Sequence, residues 1–190
     1  MSRTAPRIYL AGPEVFLPDA GRQGAVKREA CAELGLEGIF PLDGSLPLDG
    51  LPPREQARRI SLANEELLRS CDAIIANMTP FRGAAMDSGT AFEVGFMRAL
   101  RRPVFGYTNS APDYATRARA VRLCGMAPED FDGPDVEIED FGLAENLMIA
   151  VAVSETGADV FAPGASAGDV QRDLTGFRSA LAAAARHFQM

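Results

Sequence analysis

The sequence has very few of the side chains on which most enzyme mechanisms depend. Its 190 residues include one histidine, His187, in an alanine-rich C-terminal segment, and three cysteines without CxxC spacing. A Ser-His-Asp or Cys-His mechanism would depend on His187 alone, and three unspaced cysteines favour neither a disulfide framework nor a zinc site. We therefore expect carboxylate chemistry that uses no metal and no organic cofactor.

Long apolar runs and clusters of basic residues are also missing. No apolar run reaches the roughly 18 residues that span a bilayer, and the N-terminal residues lack the pattern of a signal peptide. The formal net charge is −7, and no run of Lys and Arg is longer than two residues. Nucleic acids would be repelled by such a surface. We expect a cytoplasmic protein with a small neutral or cationic ligand and neither nucleic acid nor membrane as partner.

The signatures of common phosphate-binding loops are absent. Neither GxGxxG nor GxxxxGK[ST] occurs, which excludes dinucleotide-binding and P-loop proteins. A phospho-receiver domain is set aside because the third predicted strand ends in Asn77 rather than aspartate, and the only lysine is Lys27. The turn at residues 12–16 has Pro13 and Glu14 where a flavin phosphate loop needs small or hydroxylated residues.

Apolar strand-like runs alternate with segments of helical periodicity along the whole chain. Strands are predicted at 7–11, 37–41, 71–77, 103–107 and 136–138, and helices at 19–35, from about 54, 89–101, 143–154 and 168–188. The alternation predicts an α/β fold, a flavodoxin-like three-layer sandwich with a parallel five-stranded sheet. We expect the helix at 89–101 to bury Phe92, Phe96 and Leu100. The length favours one domain over 1–190, with a C-terminal helical extension at about 157–190.

Ligands of such sheets bind beyond the carboxyl ends of the strands. In one of the segments concerned, Asp87 and Glu93 are six residues apart around a predicted helix start. Asp87 or Ser88 is the candidate N-cap, and Gly89 would let a ligand approach the backbone. Two carboxylates near one pocket suit glycosidic chemistry, although a capping aspartate and a solvated glutamate would give the same pattern.

Five blocks of sequence, taken in order, resemble the nucleoside 2-deoxyribosyltransferase family. The residues in these blocks are most similar to those of the protozoan-type branch of that family. The blocks are residues 8–13 with Phe16, 72–77, 81–83, 87–95 and 146–148.

The resemblance implies a nucleophile and a residue that binds the sugar. Glu93 would attack the anomeric carbon of the deoxyribose, and a second base would then attack the covalent intermediate, with overall retention. Hydrogen bonds from Tyr9 or backbone amides would keep Glu93 ionised near neutral pH. Asp87 would bind the 5′-hydroxyl group, which favours nucleosides over 5′-monophosphates. Arg82 would either attract a phosphate or be a surface residue of a loop.

Further contacts with substrate are implied by the same resemblance. Asn64 would face the base, unless it is only a polar residue on a helix face, and its amide is a poor proton donor. Asn146 and Met148 would enter the active site of a neighbouring subunit, which implies a homo-oligomer with shared sites; Met148 could otherwise be a core residue. The remaining substrate-binding candidates are Gly12, Phe16, Asp43, Gly83 and Gly89.

Two alternatives to deoxyribosyl transfer stay open. The same intermediate would serve a hydrolase of (deoxy)nucleosides or of their 5′-monophosphates, because water can replace the second base. A non-catalytic nucleoside-binding domain is the other alternative, but a binding domain needs no nucleophile such as Glu93. The resemblance favours the transferase, with 2′-deoxynucleosides and free nucleobases as partners and a place in nucleotide salvage.

Overall fold

Four parallel strands form the centre of the protein. The computed structural model describes residues 5–41, 46–125, 135–156 and 158–189. The strands are β1 (Arg7–Ala11), β2 (Glu37–Ile39), β3 (Ala73–Asn77) and β4 (Val104–Tyr107), in the order β2-β1-β3-β4. The order changes direction at β1, so the carboxyl ends of β1 and β3 flank the switch point at which such sheets bind ligands.

Helices cover both faces of the sheet, and the predicted flavodoxin-like α/β fold is confirmed. They are α1 (Ala20–Glu33), α2 (Pro53–Ser70), α3 (Ser88–Ala99), α4 (Tyr114–Leu123), α5 (Leu147–Ser154) and α6 (Thr175–Gln189), with a short 3-10 helix at Pro13–Phe16. Among the described residues, no helix is both long enough and apolar enough to cross a membrane.

The prediction of a fifth strand at 136–138 is wrong. Residues 136–138 belong to the described part of the chain but form no strand there. The run is short, lies among acidic residues and leaves Val136 50% exposed. At the edge of the sheet Phe161 forms instead a single parallel bridge to Tyr107. The amide of Phe161 donates to the carbonyl of Gly106 at 3.0 Å. The sheet therefore has four strands in the described part of the chain.

The core consists of two apolar clusters on opposite faces of the sheet. Side chains alternate along β1, so Ile8 and Leu10 pack towards α1 and α6, whereas Tyr9 packs towards α2, α3 and α5. Helix α6, which lies in the predicted C-terminal extension, contributes Phe177 and Leu181 to the first cluster. The prediction of one domain over 1–190 stays a prediction.

Helix α3 presents to the sheet a face that we did not expect. Val94 and Met97 are buried, whereas Phe92 is 58% exposed and lies with its ring tilted against that of Phe96, at 6.0 Å between centroids. The helix has apolar residues on more than one side, so periodicity alone does not decide which stripe faces the core. The expectation that Phe92 is buried is wrong, and the sheet-facing stripe begins at Thr90.

Candidate active site

A buried phenol and a half-buried carboxylate meet between the sheet and α3. Tyr9 lies on β1 and is fully buried, and its hydroxyl donates a hydrogen bond of 2.7 Å to Oε1 of Glu93. Glu93 lies in the second turn of α3, one position before the core residue Val94. The alternation of β1 and the turn of α3 thus bring together two residues that are 84 positions apart in the sequence.

The surroundings of Glu93 shift its pKa. The pKa of Glu93 is raised to about 7: burial raises it most, the hydrogen bond from Tyr9 lowers it, and the negative charge of Asp87 raises it. We expected an ionised Glu93 near neutral pH, and a pKa of about 7 means that the protonated form is also present in that range. Burial and the adjacent Glu93 also raise the pKa of Tyr9, so the phenol remains a donor.

Asp87 is the N-cap of α3. Its Oδ2 accepts hydrogen bonds from the amide of Thr90 at 2.9 Å and from Oγ1 of Thr90 at 3.1 Å. A Cβ at Gly89 would lie 3.0 Å from the same Oδ2, so glycine leaves space around the carboxylate. The cap uses Oδ2, and among the described residues no hydrogen bond engages Oδ1. Asp87 can therefore cap the helix and accept a further hydrogen bond.

Gly12 lies where the end of β1 meets the end of β3. A Cβ at Gly12 would overlap Oε2 of Glu14 and lie 2.8 Å from Cβ of Asn77. Glycine is therefore required here for packing, whether or not a ligand also approaches the backbone.

The carboxylate of Glu14 belongs to a buried ionic cluster that the sequence did not reveal. Its Oε1 accepts hydrogen bonds from Nζ of Lys27, from the hydroxyl of Tyr107 at 3.1 Å and from Nδ2 of Asn77 at 2.8 Å. Lys27 is buried and also donates to the hydroxyl of Tyr107 at 2.9 Å. One signal for this cluster was available, because the only lysine, Lys27, has helical spacing with the apolar Ala30 and Cys31 of α1.

The other aromatic candidate lies at the surface. Phe16 is 53% exposed and stacks on Phe81, with ring centroids 5.4 Å apart and planes 13° apart. The guanidinium of Arg82 lies 4.8 Å from the Phe16 ring and 4.6 Å from the Phe81 ring. Arg82 has a φ of 58° and precedes Gly83 in the exposed loop. Phe16, Arg82 and Gly83 thus share one surface next to the turn after β1.

The remaining predicted residues lie in different parts of the fold. Asn64 is half-buried on α2, and Asp43 lies outside the described residues. Asn146 caps α5 by accepting the amide of Met148 at 3.0 Å, and its Nδ2 donates to Glu139 at 2.7 Å. Met148 is 71% exposed, which rules out the alternative that it is a core methionine of this chain.

A second buried ion pair was also missed, because its partners come from the irregular parts of the sequence. Arg117 of α4 pairs with Glu145 at 3.1 Å, and both side chains are buried. Glu145 precedes Asn146 in the chain and accepts the amide of Met86, which precedes Asp87. The pair therefore connects the segments that carry two predicted site residues.

The described residues provide no evident metal centre. Nowhere in these parts of the chain do three or more His, Cys, Asp and Glu side chains cluster closely enough to hold a metal ion. The chemistry that the described geometry offers is that of Glu93, Asp87 and Tyr9.

Comparison with known proteins identifies similar sequences and structures. Residues 8–148 match the sequence model of the nucleoside 2-deoxyribosyltransferase family. An uncharacterized protein of Schizosaccharomyces pombe is 35% identical over 171 residues, which cover 82% of this chain and 80% of that protein.

Two solved structures resemble the whole chain. The 2-deoxyribosyltransferase from Leishmania mexicana is 29% identical and superposes with a TM-score of 0.64, with 96% of this chain and 98% of that chain covered. A conserved protein from Enterococcus faecalis is 17% identical, with a TM-score of 0.55 and coverage of 95% and 99%. The second similarity concerns the fold alone.

Proposed function

Because this chain belongs to the nucleoside 2-deoxyribosyltransferase family, we propose that it transfers 2-deoxyribose between nucleobases by cleaving the N-glycosidic bond of 2′-deoxynucleosides. The family and the similar Leishmania mexicana enzyme support an enzyme that acts on nucleosides, as a transferase or as an N-glycosidase. The observation that carries the finer proposal is the hydrogen bond of 2.7 Å from Tyr9 to Glu93, beside Asp87. We further propose a cytoplasmic role in nucleotide salvage.

In the first step the ionised Glu93 is the nucleophile. Tyr9 engages Oε1, so Oε2 is the oxygen that attacks the anomeric carbon. The bond from that carbon to the base nitrogen breaks, its electron pair leaves with the base, and a deoxyribosyl ester of Glu93 forms. Asp87 accepts the hydrogen bond of the 5′-hydroxyl through Oδ1, while Oδ2 continues to cap α3.

In the second step a nitrogen of the incoming base attacks the same carbon. The ester bond breaks and the electron pair returns to the carboxylate of Glu93. The acceptor base releases a proton to solvent, which balances the proton that the departed base takes up from solvent. Two displacements at one carbon give retention of configuration. The half-buried position of Glu93 favours transfer by limiting the access of water to the ester.

We also propose that the active site is shared between subunits of a homo-oligomer. Helices α3 and α5 pack together and leave Phe92, Met148 and Val151 on the outside. Exposed apolar side chains grouped in this way favour contact with a second copy of the chain. Such a contact would bring Asn146 and Met148 to the sugar bound by the neighbouring subunit.

Chromatography of the reaction products tests the proposal directly. Purified protein is incubated with 2′-deoxyinosine, with and without adenine, and with Glu93→Gln as the matched control. We expect 2′-deoxyadenosine only when adenine and Glu93 are both present. Free deoxyribose and hypoxanthine without exchange would show a hydrolase instead. Failure to cleave purine and pyrimidine deoxynucleosides and their 5′-monophosphates would contradict glycosidic chemistry altogether.

A further inference from the structure

The buried side chain of Arg117 forms hydrogen bonds with three loops near the candidate site. Arg117 donates from Nε to the carbonyl of Ala84 at 2.8 Å and from Nη1 to the carbonyl of Pro112 at 2.6 Å. Its Nη2 donates to the carbonyl of Ala144 at 2.9 Å and to Oε2 of Glu145 at 3.1 Å. The planar fork of the guanidinium can reach all of these acceptors at once, and the single ammonium of a lysine cannot.

Glu145 connects Arg117 to the segments that carry Asp87 and Asn146. Its Oε2 also accepts the amide of Met86 at 3.0 Å, and its Oε1 accepts the amide of Asn146 at 3.0 Å. Met86 is the residue before Asp87, and Asn146 is the cap of α5. The buried carboxylate of Glu145 thus binds the backbone next to Asp87, the sugar-binding candidate, and the backbone of Asn146, which we assign to the site of the neighbouring subunit.

The loop that carries Asp87 is otherwise held by a hydrogen bond of 3.0 Å from the amide of Phe81 to the carbonyl of Ala85 and by the buried side chain of Met86. Arg82, Gly83 and Ala85 are exposed, and a Cβ at Gly83 would meet nothing within 4 Å. Stability alone does not explain a buried ion pair in this place, because apolar residues of similar volume often serve as well. Directional hydrogen bonds to Ala84 and Met86 provide what apolar packing does not, a fixed backbone position just before Asp87.

We propose that Arg117 and Glu145 are positioning residues for nucleoside binding. They hold the loop at 84–87 so that Asp87 meets the 5′-hydroxyl, and they hold Asn146 in register with that loop. The inference rests on the proposed function, because its consequences follow from the roles assigned to Asp87 and Asn146.

The test compares the steady-state kinetics of variants of the full chain in the transfer from 2′-deoxyinosine to adenine. Arg117→Lys keeps a positive charge near Glu145 but loses the fork. We expect its KM for the nucleoside to rise about tenfold or more, since small misplacements of binding groups have large kinetic effects. The midpoint of the pH profile of kcat/KM should stay near that of the wild type, because Tyr9, Glu93 and the charge of Asp87 are all retained.

A paired replacement guards against simple misfolding. Arg117→Met combined with Glu145→Leu leaves no uncompensated charge in the core, so this variant should fold even if Arg117→Lys does not. It removes the side-chain hydrogen bonds to Ala84 and Met86, and we expect a rise in nucleoside KM at least as large as that of Arg117→Lys.

Two controls separate positioning from stability. Arg119 lies on the same helix as Arg117 and forms an exposed ion pair of 2.6 Å with Asp140. Arg119→Gln removes this ion pair and should leave KM unchanged. Leu181→Ala opens the cluster on the other face of the sheet, so it should lower the melting temperature without raising KM.

Wild-type KM in Arg117→Lys and in the paired variant would overturn the inference while leaving the transferase activity established. An equal rise of KM in Leu181→Ala at a matched loss of melting temperature would overturn it too, since the effect would then be one of stability. If the wild type cleaves no glycosidic bond, the proposed function fails and the inference falls with it.

Discussion

Two neighbours act in opposite directions on the pKa of Glu93, and the pH profile should reveal both. The proposed mechanism needs the carboxylate of Glu93, so kcat/KM should rise with pH to a plateau, with a midpoint near the pKa of about 7. Tyr9→Phe removes the hydrogen bond that lowers this pKa, and should move the midpoint upwards. Asp87→Asn removes a charge that raises it, and should move the midpoint downwards. Shifts in the same direction for both variants would contradict this account.

The same pKa makes Glu93, the proposed nucleophile, a source of instability. Between its ordinary pKa of 4.5 and about 7, the carboxyl of Glu93 holds its proton in the folded chain and loses it in the unfolded chain. The free energy of unfolding therefore falls as pH rises through this window, by about 1–3 kcal/mol for a half-buried group. Glu93→Gln should be more stable than the wild type at pH 8 and similar at pH 4. Urea unfolding at both values measures this, and an equal difference at each pH would contradict it.

Different substitutions separate the helix cap that Asp87 forms from the sugar contact that we propose for it. Asparagine caps a helix as well as aspartate does, so Asp87→Asn should change the free energy of unfolding by less than about 0.5 kcal/mol while lowering kcat/KM. Asp87→Ala loses the cap on Thr90 as well, and should lose about 1 kcal/mol of stability. Chemical denaturation of the two variants beside the kinetics tests this. Equal stability of Asp87→Ala and wild type would show that the cap is unimportant.

The sequence indicated some of these residues and concealed others for physical reasons. Asp87 and Glu93 could be found because they border a glycine-containing helix start, and Tyr9 because it lies in a recognisable block. Arg117 and Glu145 could not, since their partners are backbone groups of three loops that only the folded chain brings together. The pKa of Glu93 was also beyond prediction, because it depends on how deeply the helix buries the carboxyl group.

At the scale of elements, a buried ion pair joins α1 to the turn after β1. Lys27→Met leaves the carboxylate of Glu14 buried without its cation, so we expect a loss of about 3–5 kcal/mol in the free energy of unfolding. The additional substitution Glu14→Gln should recover part of this loss. Arg119→Gln, which breaks an exposed pair, should cost at most about 1 kcal/mol. A Lys27→Met loss as small as that of Arg119→Gln would contradict a structural role for the pair.

Most elements followed from the sequence, and the failures share a cause. The run at Cys71–Asn77 is apolar through its middle, so β3 was unambiguous. The structure of residues 136–138 and the buried face of α3 were ambiguous. A short apolar run such as that at Val136 can be a strand or a loop, and a helix with apolar residues on several sides, Phe92 among them, can bury any of these sides. The segment that does lie beside β4, at Phe161, is 54 residues away from its partner Tyr107, so local sequence did not indicate the contact.

At the scale of the whole molecule, the activity of a mixture of variants tests the shared active site that we propose. Glu93→Gln chains lack the nucleophile, and Asn146→Ser chains lack the amide but keep a side chain that can cap α5. Each pure variant should be nearly inactive. In a hybrid dimer the Glu93→Gln chain supplies Asn146 to the intact Glu93 of its partner, so one site in that dimer works.

Refolding the two chains together in equal amounts should restore about a quarter of wild-type activity, because random pairing makes half of the dimers hybrids with one working site each. If Asn146 acts within its own chain, no hybrid contains a complete site, and the mixture will stay as inactive as its components.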